Sequence, residues 1–467
     1  MSQRLHNAFP PGSLAARDLD ALLHPSTNLA LHERTGPLVL ERAEGVRVWD
    51  SEGREYIEGM AGLWCTALGY GVEELAEVAA EQMRKLAYTH MFGSKSHEPA
   101  IELAEKLKAM VPVEDGRVFF GSSGSDANDT QVKLVRYYNN AIGRPRKKKI
   151  LSRLKGYHGV TVASGSLTGL PNFHTHFDLP IEGVYHVSAP HYRRCAEPGE
   201  TEAEFVARLA EELEETILRE DPDTVAAFIA EPVQGAGGVI VPPAGYFEAI
   251  QAVLARYDVL FIADEVICGF GRTGNPFGCQ TYGIRPDTMS LAKALSSAYL
   301  PISAVVVPEK MVEPITEISG EVGVFGHGYT YSGHPVCAAV ASKVLDLYAE
   351  RDLFGHAARV SGHFQARLAA LGDHPLVGET RGVGLIGAVE LEADPATATP
   401  FDPKAGIGAH CAKRGEAHGV IARPLGDAVA FCPPLVVTED DIDQIFDRFE
   451  RALGATLAHV RAEGLRT

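Results

Sequence analysis

The seven cysteines of this chain include no C-x-x-C pair, and their number is odd. Neither a disulfide framework nor a structural zinc site is expected, so no metal ligand set is read and a reducing compartment fits. Basic residues are in deficit: 43 Lys and Arg stand against 61 Asp and Glu, a formal charge of -18. Nucleic acid and anionic membranes both need a basic footprint, so neither is an expected partner. The one basic run, RPRKKK at 144–149, reads as a solvated loop. No stretch approaches the ~18 consecutive apolar residues of a membrane span. The opening MSQRLHNAFPPGS has no apolar signal segment, so a cytoplasmic location is expected. Internal repeats and low-complexity tracts are missing as well.

What is present is an ordinary well-cored composition, 45% hydrophobic and 22% charged, which excludes disorder and collagen-like repeats. The length, 467 residues, corresponds to roughly three domain-sized units. Helical and strand patterns alternate, which points to an α/β fold. Helical spacing marks 73–88, 201–220 and 246–257, the second opening on a capping box of Thr201 and Glu204. Short unalternating apolar runs lie between them: RVFFG (117–121), KKILS (148–152), VAAFIA (225–230), VLFIA (259–263) and SAVVV (303–307). Such runs suit strands buried on both faces of a mainly parallel sheet. Residues 45–59 carry hairpin chemistry around WDSEGRE. After about residue 345 a long helix (338–350) leads into RGVGLIGAVEL and DAVAFCPPLVV, read as a smaller α+β unit.

Residues 263–274, ADEVICGFGRTG, fit the G-x-G-x-x-G dinucleotide fingerprint. That fingerprint needs a helix next, and Pro276, Gly278, Gly283 and Pro286 argue for a long loop instead. The acids before the glycines are the better signal. Ligands gather at carboxyl ends of parallel strands. VAAFIA ends in Glu231, and VLFIA ends in Asp264 and Glu265. Lys293 sits in an apolar run, MSLAKALSSAYLP. A strand-end Asp and such a Lys suit pyridoxal phosphate, which needs an acid for its ring nitrogen and an amine for its Schiff base. A phosphate cradle is then required, and FFGSSGSDANDT (119–130) supplies a Ser/Gly turn at a helix N-terminus.

With those residues in place, the chain resembles the class III, fold-type-I pyridoxal-phosphate aminotransferases, in particular the ω-transaminase or amine:pyruvate branch. The resemblance spans nearly the whole chain. It rests on GMAGLWCTALGYG (59–71), GSSGSDANDT, GYHG (156–159), EPVQGAGGVIVPP (231–243), ADEVICGFGRTG, LAKALSSAYLPI (291–302), HGYTYSGHPVCAA (327–339) and RGVGLIG (381–387), in that order. It implies a large domain at 61–340 built on a mainly parallel seven-stranded sheet between helices. It also implies a small α+β domain at 341–467, with 1–60 packing against it. It implies that Lys293 binds the cofactor covalently and moves the proton, and that Asp264 pairs with the ring nitrogen. Val266 and Tyr157 would cover the two ring faces. Ser123, Gly124 and Ser125 would hold the phosphate, completed by Thr330 of the neighbouring subunit in an obligatory homodimer, or a tetramer. For His158 the residues give only packing or a hydrogen bond.

Some positions depart from the family. Ala294 and Ala298 stand where relatives have glycine, which fits only if φ stays negative. Asp126 replaces a Glu, and Ser26 replaces a Phe, giving a roomier or more polar pocket if Ser26 lines it. The carboxylate-binding device of the ornithine and γ-aminobutyrate branch is missing, since Ala430 and Ala236 occupy its positions. Arg423, by resemblance, instead swings in to grip an acceptor carboxylate, and Trp64 walls the pocket, with Met91 and Phe92 near it. The implied reaction moves an amino group from an amine or ω-amino compound, such as a polyamine, β-alanine or taurine, to pyruvate. It runs by ping-pong kinetics through pyridoxamine phosphate and is (S)-selective. The alternatives are an aminomutase, racemase or decarboxylating enzyme of the same class, a nicotinamide oxidoreductase, or a non-catalytic scaffold.

Overall fold

The computed structural model describes residues 9–465; the first eight residues of the opening polar stretch lie outside the described residues. The strands are β1 (Leu40–Glu44), β2 (Arg47–Asp50), β3 (Glu55–Glu58), β4 (Arg117–Gly121), β5 (Lys149–Arg153), β6 (Val184–Val187), β7 (Val225–Ala230) and β8 (Leu260–Asp264). They continue as β9 (Thr288–Leu291), β10 (Ser303–Val307), β11 (Val377–Val383), β12 (Ile386–Leu391), β13 (Val420–Ile421), β14 (Arg423–Leu425) and β15 (Ala428–Phe431). A seven-stranded sheet in the order β4-β10-β9-β8-β7-β5-β6 forms the centre. Strands β6, β5, β7, β8 and β9 run parallel, and β10 runs opposite to both of its neighbours. Both faces are covered, so β7, β8, β9 and β10 are buried at every residue. That is why β7, β8 and β10 read as apolar runs rather than as alternation.

Two four-stranded sheets lie outside this one: β11-β12-β15-β14, and β1-β2-β3-β13. The second joins both ends of the chain, because β13 pairs in parallel with β3. The fold is thus a mixed α/β fold of type I with a separate small-sheet unit. The capping box at Thr201 is made in full, with Glu204 answering the Thr201 backbone.

Two expectations are corrected, and two strands had no signal in the sequence. β6 and β9 carry Tyr185, His186, Thr288 and Ser290 and lack the apolar run that marks their neighbours. A short helix, Gly278–Tyr282, interrupts the expected long loop; Gly283 closes it in the left-handed region at φ 62°. The basic run is not all solvated loop. Lys147 is buried and donates to the Tyr257 carbonyl at 3.0 Å, and Lys149 opens β5. Among the described residues, no helix is long and apolar enough to cross a membrane.

Candidate active site

Because β4, β7, β8 and β9 point the same way, their carboxyl ends share one edge. A cavity of about 380 Å³ opens there, lined among others by Ser123, Gly124, Tyr157, Asp264, Val266 and Lys293. Asp264 ends β8 and is 3% exposed. A carboxylate this dry needs donors, and it has three. His158 Nδ1 at 2.7 Å and Asn128 Nδ2 at 2.8 Å meet one oxygen, and the Val266 N–H at 3.1 Å meets the other. His158 therefore has a defined place: it holds the strand-end acid. Asn128, which the sequence reading passed over, lies one helical turn after Gly124 on the same helix face.

Lys293 follows β9 as the first residue of a tight turn and sits at φ 50°. Ser297 and Ala298 follow at 50° and 63°, so the expectation of negative φ at Ala298 is corrected. Outside contacts hold this strained turn in place. The Leu68 N–H donates to Ser297 Oγ at 2.9 Å, and the Tyr348 hydroxyl donates to the Ala294 carbonyl.

The helix Gly124–Ala141 starts at the cavity with Ser123 as N-cap. Asp126 accepts from the Ser122 and Ser123 N–H groups at 2.9 and 3.0 Å, and Ser123 Oγ accepts from the Asp126 N–H at 3.1 Å. The shorter acid therefore serves as half of a capping box. The backbone at Gly124 and Ser125 and the Ser123 hydroxyl proton remain for an anion. A Cβ on Gly124 would stand 3.0 Å from Val266 Cγ1, so glycine lets the two cavity walls meet.

Tyr157 leans edge-on against Phe173, 5.5 Å between centroids; burial raises its phenol above the ordinary value. Its N–H is held by Glu231 at 2.9 Å, the acid that ends β7 and whose other oxygen takes the Gly235 N–H at 2.9 Å. Burial pushes Glu231 upward too. Glu265 closes the glycine-rich loop by accepting from the Gly278 and Cys279 N–H groups at 3.0 and 2.6 Å. Within that loop Arg272 donates to the Leu385 and Pro433 carbonyls at 2.9 and 2.6 Å. The loop thus docks the strand-end acids onto the small-sheet unit, a role for the glycine motif that its spacing did not reveal.

Arg423 opens β14, half-buried beside Tyr157 and Cys65. Desolvation lowers its guanidinium below the ordinary value, and among the described residues no acid pairs with it. Arg423 and three other predicted residues do not line the cavity of the single chain. Trp64 is buried at φ 66° in a cluster with Met60 and Val233. Ser26 is exposed in a turn at φ 47°. Thr330 is exposed, and its carbonyl accepts from Tyr88 at 2.8 Å.

This residue set fits pyridoxal phosphate. A helix N-terminus with free donors, a buried carboxylate with fixed geometry and one lysine share a cavity of suitable size. Residues 30–453 match the family Aminotransferase class-III. Gamma aminobutyrate transaminase 3, chloroplastic, of Solanum lycopersicum is 50% identical over 90% of this chain and 81% of its own length. Diaminobutyrate--2-oxoglutarate transaminase of Halomonas elongata is 46% identical over 97% and 98%. The crystal structure of the omega transaminase from Pseudomonas jessenii in complex with PMP superposes with a TM-score of 0.94 at 53% identity, covering 96% of this chain and 99% of that one. A solved transaminase with L-ala superposes at 0.89, with 52% identity over 91% and 100%. The chain belongs to the class III aminotransferases, and its cofactor is pyridoxal phosphate.

Proposed function

We propose that this enzyme moves an amino group from an amine or ω-amino compound to pyruvate in two half-reactions with ping-pong kinetics. The observation that carries the reading is Arg423: a half-buried guanidinium beside Tyr157, with no acid partner among the described residues. A cation kept in such a place is suited to a carboxylate that arrives and leaves, held bidentately while present. The relatives support donors with an amino group remote from the carboxylate, since they are named for γ-aminobutyrate and diaminobutyrate. Missing the γ-aminobutyrate branch's device at Ala236 and Ala430 therefore does not exclude 4-aminobutyrate. The solved transaminase with L-ala supports the alanine–pyruvate pair.

When bound, pyridoxal phosphate supplies the electron sink that makes the donor's Cα–H acidic. Lys293 Nζ is the base and acid that moves that proton. Asp264, held by His158 and Asn128, keeps the ring nitrogen protonated. Ser123, Gly124 and Ser125 anchor the phosphate, while Val266 and Tyr157 confine the ring. Trp64 and Ser26, which do not line the cavity of the single chain, are proposed to shape the substrate side in the assembled homodimer or tetramer, where Thr330 reaches the phosphate of the partner subunit. We also assign residues 1–60 to a segment that packs with the small domain, 61–340 to the cofactor domain and 341–467 to the small domain, in a cytoplasmic enzyme.

The test is a panel of amine donors with pyruvate, alanine being the readout, run beside Arg423→Ala. Parallel double-reciprocal lines are expected. Loss of a charged hydrogen-bonded pair, about 1.5–3 kcal/mol, should raise KM for pyruvate about 10- to 100-fold while sparing uncharged amines. Intersecting lines would overturn the ping-pong reading. Full pyruvate activity in the variant would overturn the role of Arg423.

A further inference from the structure

Two short helices precede β1, Leu14–Ala21 and Leu29–Thr35, and neither contributes a buried residue. Helices this short are marginal alone, and most helical stability comes from packing an apolar face. What joins them is polar. Asp18 on the first helix, His24 after it and His32 on the second converge on one point. His24 Nε2 lies 2.8 Å and His32 Nε2 3.1 Å from the same oxygen, Asp18 Oδ2. The two imidazoles are 4.1 Å apart between centroids, and the three ligand atoms all lie within 4.8 Å of one another. The side chains are only 11–27% exposed.

We propose that Asp18, His24 and His32 form a site for one divalent transition-metal ion of the zinc class, which clips the first helix to the second. Two imidazole nitrogens and one carboxylate oxygen make a borderline donor set that suits Zn²⁺ or Co²⁺ rather than Mg²⁺ or Ca²⁺. Tetrahedral bonds of ~2.1 Å separate neighbouring ligand atoms by about 3.4 Å. The observed 2.8 and 3.1 Å need to open by about 0.6 and 0.3 Å. Water takes the fourth position. The ion replaces the shared protons between the rings and the carboxylate, since a ligating imidazole nitrogen must give up its proton. The other converging cluster, His191 with Glu379 and Glu390, already holds a cation: Arg381 donates to both of its carboxylates at 2.7 Å. Asp18 has no such competitor among the described residues. The clip closes a loop through Pro25, Ser26 and Thr27, whose Ser26 stands at φ 47°.

The test uses untagged holoenzyme, stripped with a chelator and then titrated. Co²⁺ is followed by its visible ligand-field band at wavelengths beyond the cofactor's absorption. Zn²⁺ is followed by competition with a chromophoric chelator. One ion per chain is expected. Asp18→Asn and His32→Gln should each weaken binding at least about tenfold, as losing even an outer-shell partner can. His410→Gln, in a separate histidine pair on the surface side of another helix, should leave it unchanged. Zn²⁺ should slow tryptic cleavage after Arg17 and Arg34 in the wild type and not in Asp18→Asn. Equal affinity in wild type and both ligand variants would overturn the site. So would cleavage rates indifferent to Zn²⁺, which would leave a hydrogen-bonded triad only.

Discussion

At the scale of single residues, the buried carboxylate of Asp264 shows what sequence could and could not deliver. Asp264 and Lys293 were legible because their chemistry is unusual at the end of an apolar run. Asn128 and His158 were not assigned to Asp264, because they lie 136 and 106 positions away from it along the chain. Removing one donor leaves a charge in a dry site with a lone pair unmet. His158→Phe is expected to lower cofactor affinity and kcat together by about 10- to 100-fold, the effect of one charge-assisted bond of ~1.5–3 kcal/mol. Reconstitution followed by the visible cofactor band checks this. Ala298 gives the opposite kind of prediction. An L residue in the left-handed region costs about 1–2 kcal/mol, and glycine's extra unfolded-state freedom costs about 0.5–1 kcal/mol. Ala298→Gly, relieving φ 63°, should therefore stabilise the protein by about 0.5–1 kcal/mol in denaturant unfolding.

At the scale of elements, the long apolar strands were readable and the connections were not. Glu265 turns a stretch of glycines and prolines into a loop closed by a one-turn helix, and no pattern of 3.6 or 2 residues marks such an element. The chain after β3 behaves alike. Ala61, Gly62 and Trp64 all take positive φ, 48°, 65° and 66°, and Glu58 accepts from the Met60 N–H at 2.9 Å just before them. Burial pushes Glu58 up from 4.5 to about 7. Folding therefore favours its protonated form. That contribution is whole below about pH 4.5 and is lost as pH rises through about 7, an effect of about 3 kcal/mol across the interval. Glu58→Gln keeps the acceptor and cannot ionise. Its stability relative to wild type should rise between pH 5 and pH 9, read as a growing Tm advantage. Glu265, also raised to about 7, stays in both proteins and leaves the difference intact.

At the scale of the whole molecule, the single chain is left with surface that a lone subunit has little use for. Tyr88, Phe92 and Tyr331 are 41%, 49% and 61% exposed, and Val322 and Val324 exceed 60%. This aromatic rim borders Thr330, whose carbonyl Tyr88 holds. The shared site is what the resemblance implies; an exposed aromatic rim is the kind of patch that marks protein interfaces, and the proposal can be tested there. Mixed dimers decide the matter. Lys293→Ala removes the base and keeps Thr330, while Thr330→Ala keeps the base and weakens phosphate binding by about 10- to 100-fold. If Thr330 serves the neighbouring site, a dimer of one variant chain with the other has one site damaged twice and one site intact. That intact site should bind cofactor with wild-type affinity and restore about half the wild-type activity per dimer, because independent sites add. If Thr330 serves its own chain, each site of the mixed dimer carries one lesion, and mixing restores nothing above the Thr330→Ala homodimer. Co-refolding the two variants at low cofactor concentration, with differently tagged chains to isolate the mixed species, separates these outcomes in one titration.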